Sequence, residues 1–219
     1  MEHNLATVDA LASQFIAWAT PVRFDVAQSP AELDSVYRVR YQIAIERGWA
    51  TPTDLPHGIE RDTYDNSAVQ IVGWVNEQPI ALARLVFPSP GLRLPTEETF
   101  KLVIEPHGQV VDINRATVLA AYSDLQHRVF CGLLGRSWLE IRTRGFQHVC
   151  AYAAQPLLRL YRILGLQFTQ LGPSQIVWGE VRTPICFDIA ASTPLVTSRL
   201  GRSTDSAAGS VPNGEASSA

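Results

Sequence analysis

Cysteine is scarce in this chain. Cys131, Cys150 and Cys186 are odd in number, widely spaced and contain no C-x-x-C pair, which excludes a disulfide framework and leaves buried thiols in a reducing compartment as the expectation. The five histidines, His3, His57, His107, His127 and His148, make no pair at metal-ligand spacing, so no zinc site is expected. No apolar run reaches the length needed to cross a membrane. The opening stretch, MEHNLATVDALASQFIAWATPVRF, has acidic residues early and no basic region, so no secretory signal is expected and the cytoplasm is the expected location. Positive charge is not in surplus either. With 18 Lys+Arg against 21 Asp+Glu, a net charge of −3 and a pI near 5.9, nucleic acid is not the expected partner. Lysine is almost missing: Lys101 stands alone, so nearly all the cationic charge is arginine. The run Gly135-Arg136-Ser137-Trp138-Leu139 lacks the second glycine of a nucleophile elbow and lies inside a helical pattern. No internal repeat is present.

What is present suffices for one ordinary domain. With 219 residues, 46% hydrophobic, the chain can bury a core without metals or disulfides. Apolar spacing predicts an amphipathic helix over 7–18, within an N-terminal helical extension assigned to 1–22, and a brief strand over 24–27. Ser29, Pro30 and Glu32 are the start signals of a helix that ends near Gly48. Strands are expected over 69–75 and 79–87, joined by Asn76-Glu77-Gln78, and over 110–114. A long helix over 124–144, with Ser123 and Gln126 as a capping box, precedes a strand over 148–153. A helix over 156–164 stopped by Gly165 follows, then strands over 167–171 and 176–189, the last interrupted by Pro184. The order describes a mixed α/β domain over 23–200, with a disordered tail over 201–219. Trp74, Trp138 and Trp178 read as core or tunnel wall.

The charges fall where a core would form. Leu33, Val36, Tyr37 and Ala44 share one helical face, and Arg40 shares it with them. Arg84 interrupts an apolar row of Ile80, Leu82 and Val86 on one face of its strand. Asp112 and Arg115 close the next strand. Isolated buried charge is too unfavourable to persist, so Arg40, Arg84 and Arg115 are expected to meet Glu60, Asp62, Asp65 and Asp112 around one polar pocket. A divalent cation among these acids would be opposed by the three arginines, and no metal is expected.

The residues E-R-D-T-Y-D at 60–65, preceded by V-R-Y and G-W and followed by A-R-L and D-I-N-R, resemble the signature of the acyl-homoserine-lactone synthases and their relatives, the N-acyl amino acid synthases. The resemblance covers roughly 33–118. It implies a GNAT-like acyltransferase fold, a mixed central sheet flanked by helices. Carried over by motif, Arg40 is the inward helical arginine, Trp49 lines the amine pocket, and Glu60, Asp62 and Asp65 form the acidic triplet. Arg84 is the strand arginine, with Asp112 and Arg115 closing the following strand. Two positions depart from the pattern: Ala44 stands where phenylalanine is usual, and Asp112 where glutamate is usual. In the C-terminal half, Leu157, Arg159 and Gly165, then Gly179, Arg182 and Pro184, approximate patterns of the N-acyl amino acid synthase and exosortase-associated acyltransferase branch.

The resemblance implies transfer of a fatty acyl group from an acyl carrier protein thioester to the amine of an amino acid, with no cofactor beyond that co-substrate and the chain held between sheet halves. Glu60 or Asp112 would accept the ammonium proton, and Arg40, Trp49, Asp62, Asp65, Arg84 and Arg115 would bind substrate. Backbone N–H groups of the strand at 110–114 would serve as oxyanion hole. The stretch RATVLAAYSDLQH has no glycine to cradle a pyrophosphate, which agrees with a carrier-protein donor. Arg128, Arg136, Arg142, Arg144, Arg159 and Arg162 are its candidate docking residues. The alternatives are autoinducer synthesis from S-adenosylmethionine, which also lactonises, and a non-catalytic acyl-binding domain.

Overall fold

Eight strands form one sheet in the order β1-β2-β3-β4-β5-β8-β6, with β7 paired to β8. The strands are β1 (Arg23–Val26), β2 (Val69–Val75), β3 (Gln78–Val86), β4 (Val110–Val118), β5 (His148–Ala154), β6 (Gln167–Gln170), β7 (Gln175–Val177) and β8 (Glu180–Asp188). The helices are α1 (Glu2–Trp18), α2 (Pro30–Glu46), α3 (Pro95–Phe100), α4 (Gln126–Thr143), α5 (Gln155–Leu164) and α6 (Ile189–Ala208). This computed structural model describes the backbone of residues 2–208, and side chains there except at 2–4, 123–126 and 199–208.

Strands β2 and β3 are buried on both faces, and their alternation sorts the core. Val72, Trp74 and Leu82 meet Val36, Tyr37 and Ile43 of α2 on one side. Ile71, Ala81, Ala83 and Leu85 meet Val129, Phe130 and Leu133 of α4 on the other. The α2 start is as expected: Ser29 Oγ accepts from the Glu32 N–H at 3.2 Å and Glu32 Oε2 accepts from the Ser29 N–H at 2.9 Å. α5 ends at Gly165, whose φ of +90° is the left-handed turn a helix stop needs.

Every pairing is antiparallel except β4 with β5, and this exception shapes the molecule. The two strands pair only at Val110–His148, Val111–Val149 and Asp112–Cys150. Beyond that point β4 follows β3 while β5 follows β8, and the sheet parts into a V. A bulge assists the parting. Between the pairs Leu82–Thr117 and Arg84–Asn114, one residue of β3, Ala83, lies opposite two of β4, Arg115 and Ala116, and Arg115 takes a φ of +55° there.

Several expectations are corrected. The last strand is two, because the chain turns at Trp178 (φ +55°) and Gly179 (φ +73°) and makes a β7–β8 hairpin. Pro184 lies inside β8, where its carbonyl accepts from the Leu171 N–H at 2.9 Å. β4 runs four residues past Asn114, and α3 was not foreseen at all. A short 3-10 segment (Ala120–Leu125) precedes α4; the expected cap by Ser123 and Gln126 rests on side chains outside the described residues. The backbone from 201 to 208 continues α6, where disorder was expected, because the helix propagates from a turn that Val196 anchors at 4% exposure. Residues 209–219 lie outside the described residues.

α1 docks across α4 through missing side chains. A Cβ on Gly135 would lie 2.5 Å from the Ala12 carbonyl oxygen, and one on Gly132 would lie 2.5 Å from the Phe24 ring. Gly135→Val should therefore push α1 off α4, lowering stability by about 1–3 kcal/mol in urea unfolding and exposing α1 to protease. An unchanged midpoint would show that this contact is not made.

Candidate active site

The acidic triplet has the spacing of one capped turn. Asp62 Oδ1 accepts from the Tyr64 N–H at 2.9 Å and Asp65 Oδ2 accepts from the Asp62 N–H at 2.8 Å, closing a box around the 3-10 turn Thr63–Asn66. Just before it, the Glu60 N–H donates to the Tyr37 carbonyl at 3.0 Å, pinning the segment to α2. All three carboxylates thus converge on the face where Arg40 points.

Three arginines meet them. Arg40 donates from Nε to Glu60 Oε2 and from Nη1 to Asp65 Oδ1 at 2.7 Å. Arg84 Nη1 lies 2.6 Å from Asp62 Oδ1 and 3.0 Å from Asp65 Oδ2. Arg115 Nη2 lies 2.9 Å from Glu60 Oε1 and 3.3 Å from Asp62 Oδ2. Burial alone would raise the Glu60 carboxyl, but Arg40 and Arg115 override it and hold its pKa at about 2. Asp65 is also lowered, its burial outweighed by Arg40 and then Arg84.

Asp112 is not in this cluster. It is fully buried, and its oxygens accept from the Thr96 N–H at 2.6 Å and Asn114 Nδ2 at 3.0 Å. Burial pushes its pKa up, against those hydrogen bonds. Asn114 Oδ1 in turn accepts from Arg84 Nε at 2.7 Å. Asp112 therefore fixes the amide that fixes Arg84, and it is not among the described residues that line the cavity between β4 and β5.

The V between β4 and β5 holds a cavity of about 460 Å³. Of the eight residues expected at the site, Arg40, Trp49, Glu60 and Arg115 line it; Asp62, Asp65, Arg84 and Asp112 stand behind. Ala44 is buried and is not among the residues that line the cavity. The opposite wall was mostly overlooked: Tyr152 on β5, with Trp178, Glu180 and Arg182 on the β7–β8 hairpin, and Arg47 after α2. Trp178 was expected as core or tunnel wall, and Gly179 and Arg182 were singled out by the family resemblance, but within a single strand. Arg47 and Glu180 carried no signal of their own, since only the fold brings 47 beside 180.

No family model and no curated protein matches the chain. Solved structures do. TofI, in a ternary complex with an inhibitor and MTA, has a TM-score of 0.64 at 19% identity, covering 79% of this chain and 97% of its own. FeeM, an N-acyl amino acid synthase from uncultured soil microbes, has a TM-score of 0.64 at 12% identity, covering 82% and 97%. BjaI, described as a CoA-dependent acyl-homoserine lactone synthase and solved with SAM and isopentyl-CoA, has a TM-score of 0.59 at 19% identity, covering 77% and 82%. The chain thus has the GNAT-like acyltransferase fold that these structures share.

Glu60 gives this site a pH signature. Its folded pKa of about 2 lies below its ordinary 4.5, so its contribution to stability is complete above pH 4.5 and lost as pH falls toward 2. Urea unfolding across that window should show a declining limb, shallower in Glu60→Gln. An identical limb in the variant would show that Glu60 is not held by its arginines.

Proposed function

We propose that the chain is an N-acyltransferase that moves a fatty acyl group from a thioester donor, acyl carrier protein, to the amine of an amino acid. The observation carrying this reading is the cavity in the β4–β5 V, walled on one side by the carboxylate of Glu60. Ile113 lines that cavity and also an apolar groove of about 110 Å³ beneath α1, α4 and α6, so the two adjoin at this side chain and the groove offers apolar surface for a fatty chain.

In the reaction the amine nitrogen attacks the thioester carbon, the carbon–sulfur bond breaks, and the amine proton finishes on the departing sulfur. A carboxylate with a pKa near 2 is a poor proton acceptor. Glu60 instead attracts the incoming ammonium and orients it; one proton leaves through water before the nitrogen attacks, and a second passes from the acylated nitrogen to the departing thiolate. The bulge at Arg115 turns backbone N–H groups of β4 out of the ladder, where they can face the developing oxyanion.

The aromatic faces favour an amino acid over a sulfonium substrate. Arg47 and Arg182 both lie 4.8 Å from the Trp49 ring centre, and Arg115 lies 4.2 Å from that of Trp178. Faces already occupied by guanidinium have little left to offer another cation. For the donor, the support is the glycine-free stretch after Asn114. Of the six proposed docking arginines, Arg136 and Arg144 pair with Glu140 and Arg142 with Asp9, while Arg128 and Arg159 stay exposed.

Purified protein should convert acyl carrier protein thioester and an amino acid to an N-acyl amino acid, identified by mass spectrometry. Acyl lactone from S-adenosylmethionine, or no product from any acceptor, would overturn the proposal, and acyl-CoA in parallel tests the donor. Glu60→Gln should lower kcat by about 10²-fold with the far-ultraviolet circular dichroism unchanged. Arg84→Ala should instead destabilise by about 3–5 kcal/mol, because it takes one of two cationic partners from the buried Asp65 and from Asp62 and leaves the buried Asn114 amide without its donor.

A further inference from the structure

The three arginines expected to bind a substrate carboxylate are already spent on carboxylates of the protein. Arg40, Arg84 and Arg115 face Glu60, Asp62 and Asp65, three against three. Across the cleft the balance differs. Arg47 and Arg182 share one carboxylate, Glu180, and only Arg182 touches it, Nη2 to Oε2 at 3.3 Å. Arg47 Nη2 donates to Thr117 Oγ1 at 3.2 Å and has no carboxylate partner among the described residues. Of these five arginines, Arg47 is the only one without a carboxylate partner among the described residues.

Arg182 also has an unused donor. Its side chain is 14% exposed, and its Nε–H is buried with no hydrogen-bond partner. Nε–H and Nη2–H lie on one edge of a guanidinium, the edge that grips a carboxylate with two parallel bonds. Glu180 uses one end of that edge, at long range. Burial lowers the Arg182 pKa, only partly offset by Glu180, and the Arg115 and Arg47 charges lower it further. An unsatisfied buried donor beside a like charge is what an arriving anion relieves.

The surroundings hold both guanidiniums in place. They stack on the same indole, Trp49, whose Nε1–H donates to Glu180 Oε1 at 2.9 Å. Trp49 meets Trp178 edge-on at 5.8 Å, and Trp178 carries Arg115 beside Glu60. The indole pair therefore separates a carboxylate that attracts an amine from two arginines that have one carboxylate, Glu180, between them.

We propose that Arg182 and Arg47 form the carboxylate subsite of this cleft, so that the acceptor is chosen as an amine bearing an anionic group. This rests on the N-acyl amino acid reading above and names the residues that set its specificity. A phosphate of the donor's pantetheine arm is the other source of anionic oxygen, and the experiment separates the two.

Binding is measured by calorimetry for a panel of N-acyl amino acids across side chains and chain lengths, each beside its uncharged carboxamide, and for coenzyme A. Wild type should bind the best acid at least about tenfold tighter than its amide. Arg182→Gln should bring the two near parity, with Arg182→Lys between because lysine lacks the fork. Glu180→Gln, which removes the competing carboxylate, should widen the preference and covers the case in which Arg182→Gln does not fold. Equal binding of acid and amide by wild type, or an undiminished preference in a folded Arg182→Gln, would overturn the assignment. So would loss of coenzyme A affinity alone in that variant, which would give the anion to the donor. If no N-acyl compound binds wild type, the functional reading itself falls, a result distinct from binding without preference.

Discussion

The structure depends on a charge-neutral knot of three guanidiniums and three carboxylates at the junction of α2, the 60–65 segment and strands β3 and β4. Such a knot is tolerable inside a protein only when every member is matched, since one unpaired buried ion costs several kcal/mol. Matching is achieved by ordinary local structure. A single capped turn sets the spacing of Asp62 and Asp65, a helical face aims Arg40, and the Gln70–Arg84–Asn114 register across three strands holds Arg84. Gln70 Nε2 closes the arrangement by donating to Asp65 Oδ1 at 2.8 Å. The loop is tied to the sheet by charge where apolar side chains would ordinarily do it.

That arrangement constrains the chemistry. A carboxylate drawn down to a pKa of about 2 is ionised at any ordinary pH and takes up protons reluctantly. The same neighbours that make Glu60 permanent make it a poor base. The cleft's catalytic power must then come from placement of amine and thioester, and from backbone dipoles at the bulge, more than from proton abstraction.

Much of this was legible in the residues. The Ser29-x-x-Glu32 box and the Gly165 stop rest on spacing rules that operate within a few residues, and the convergence of Arg40 and Arg84 on the acidic triplet rests on the need of a buried cation for an anion. The misses have a common origin in distance. Asp112 looked like a site acid because it ends a strand beside Arg115, but the face it takes is roofed by Thr96 of an unforeseen helix. Arg47 and Glu180 are 133 positions apart, and no local pattern announces that a hairpin turning at Trp178 will bring them to one indole. The 176–189 run reads as one strand because Trp178 is an apolar residue in a β-rich stretch; its positive φ becomes visible only in the folded chain.

The meagre three-pair seam between β4 and β5 divides responsibility between the two sides of the V. Arg40, Arg84, Arg115 and their acids all belong to the half built from α2 and β1–β4, where a change of residue endangers folding. Tyr152, Trp178, Glu180 and Arg182 belong to the other half, three of them at the β7–β8 hairpin. Acceptor preference can therefore drift among descendants of this sequence by substitutions on that hairpin, while the opposite wall is held both by folding and by the placement of Glu60 beside the amine.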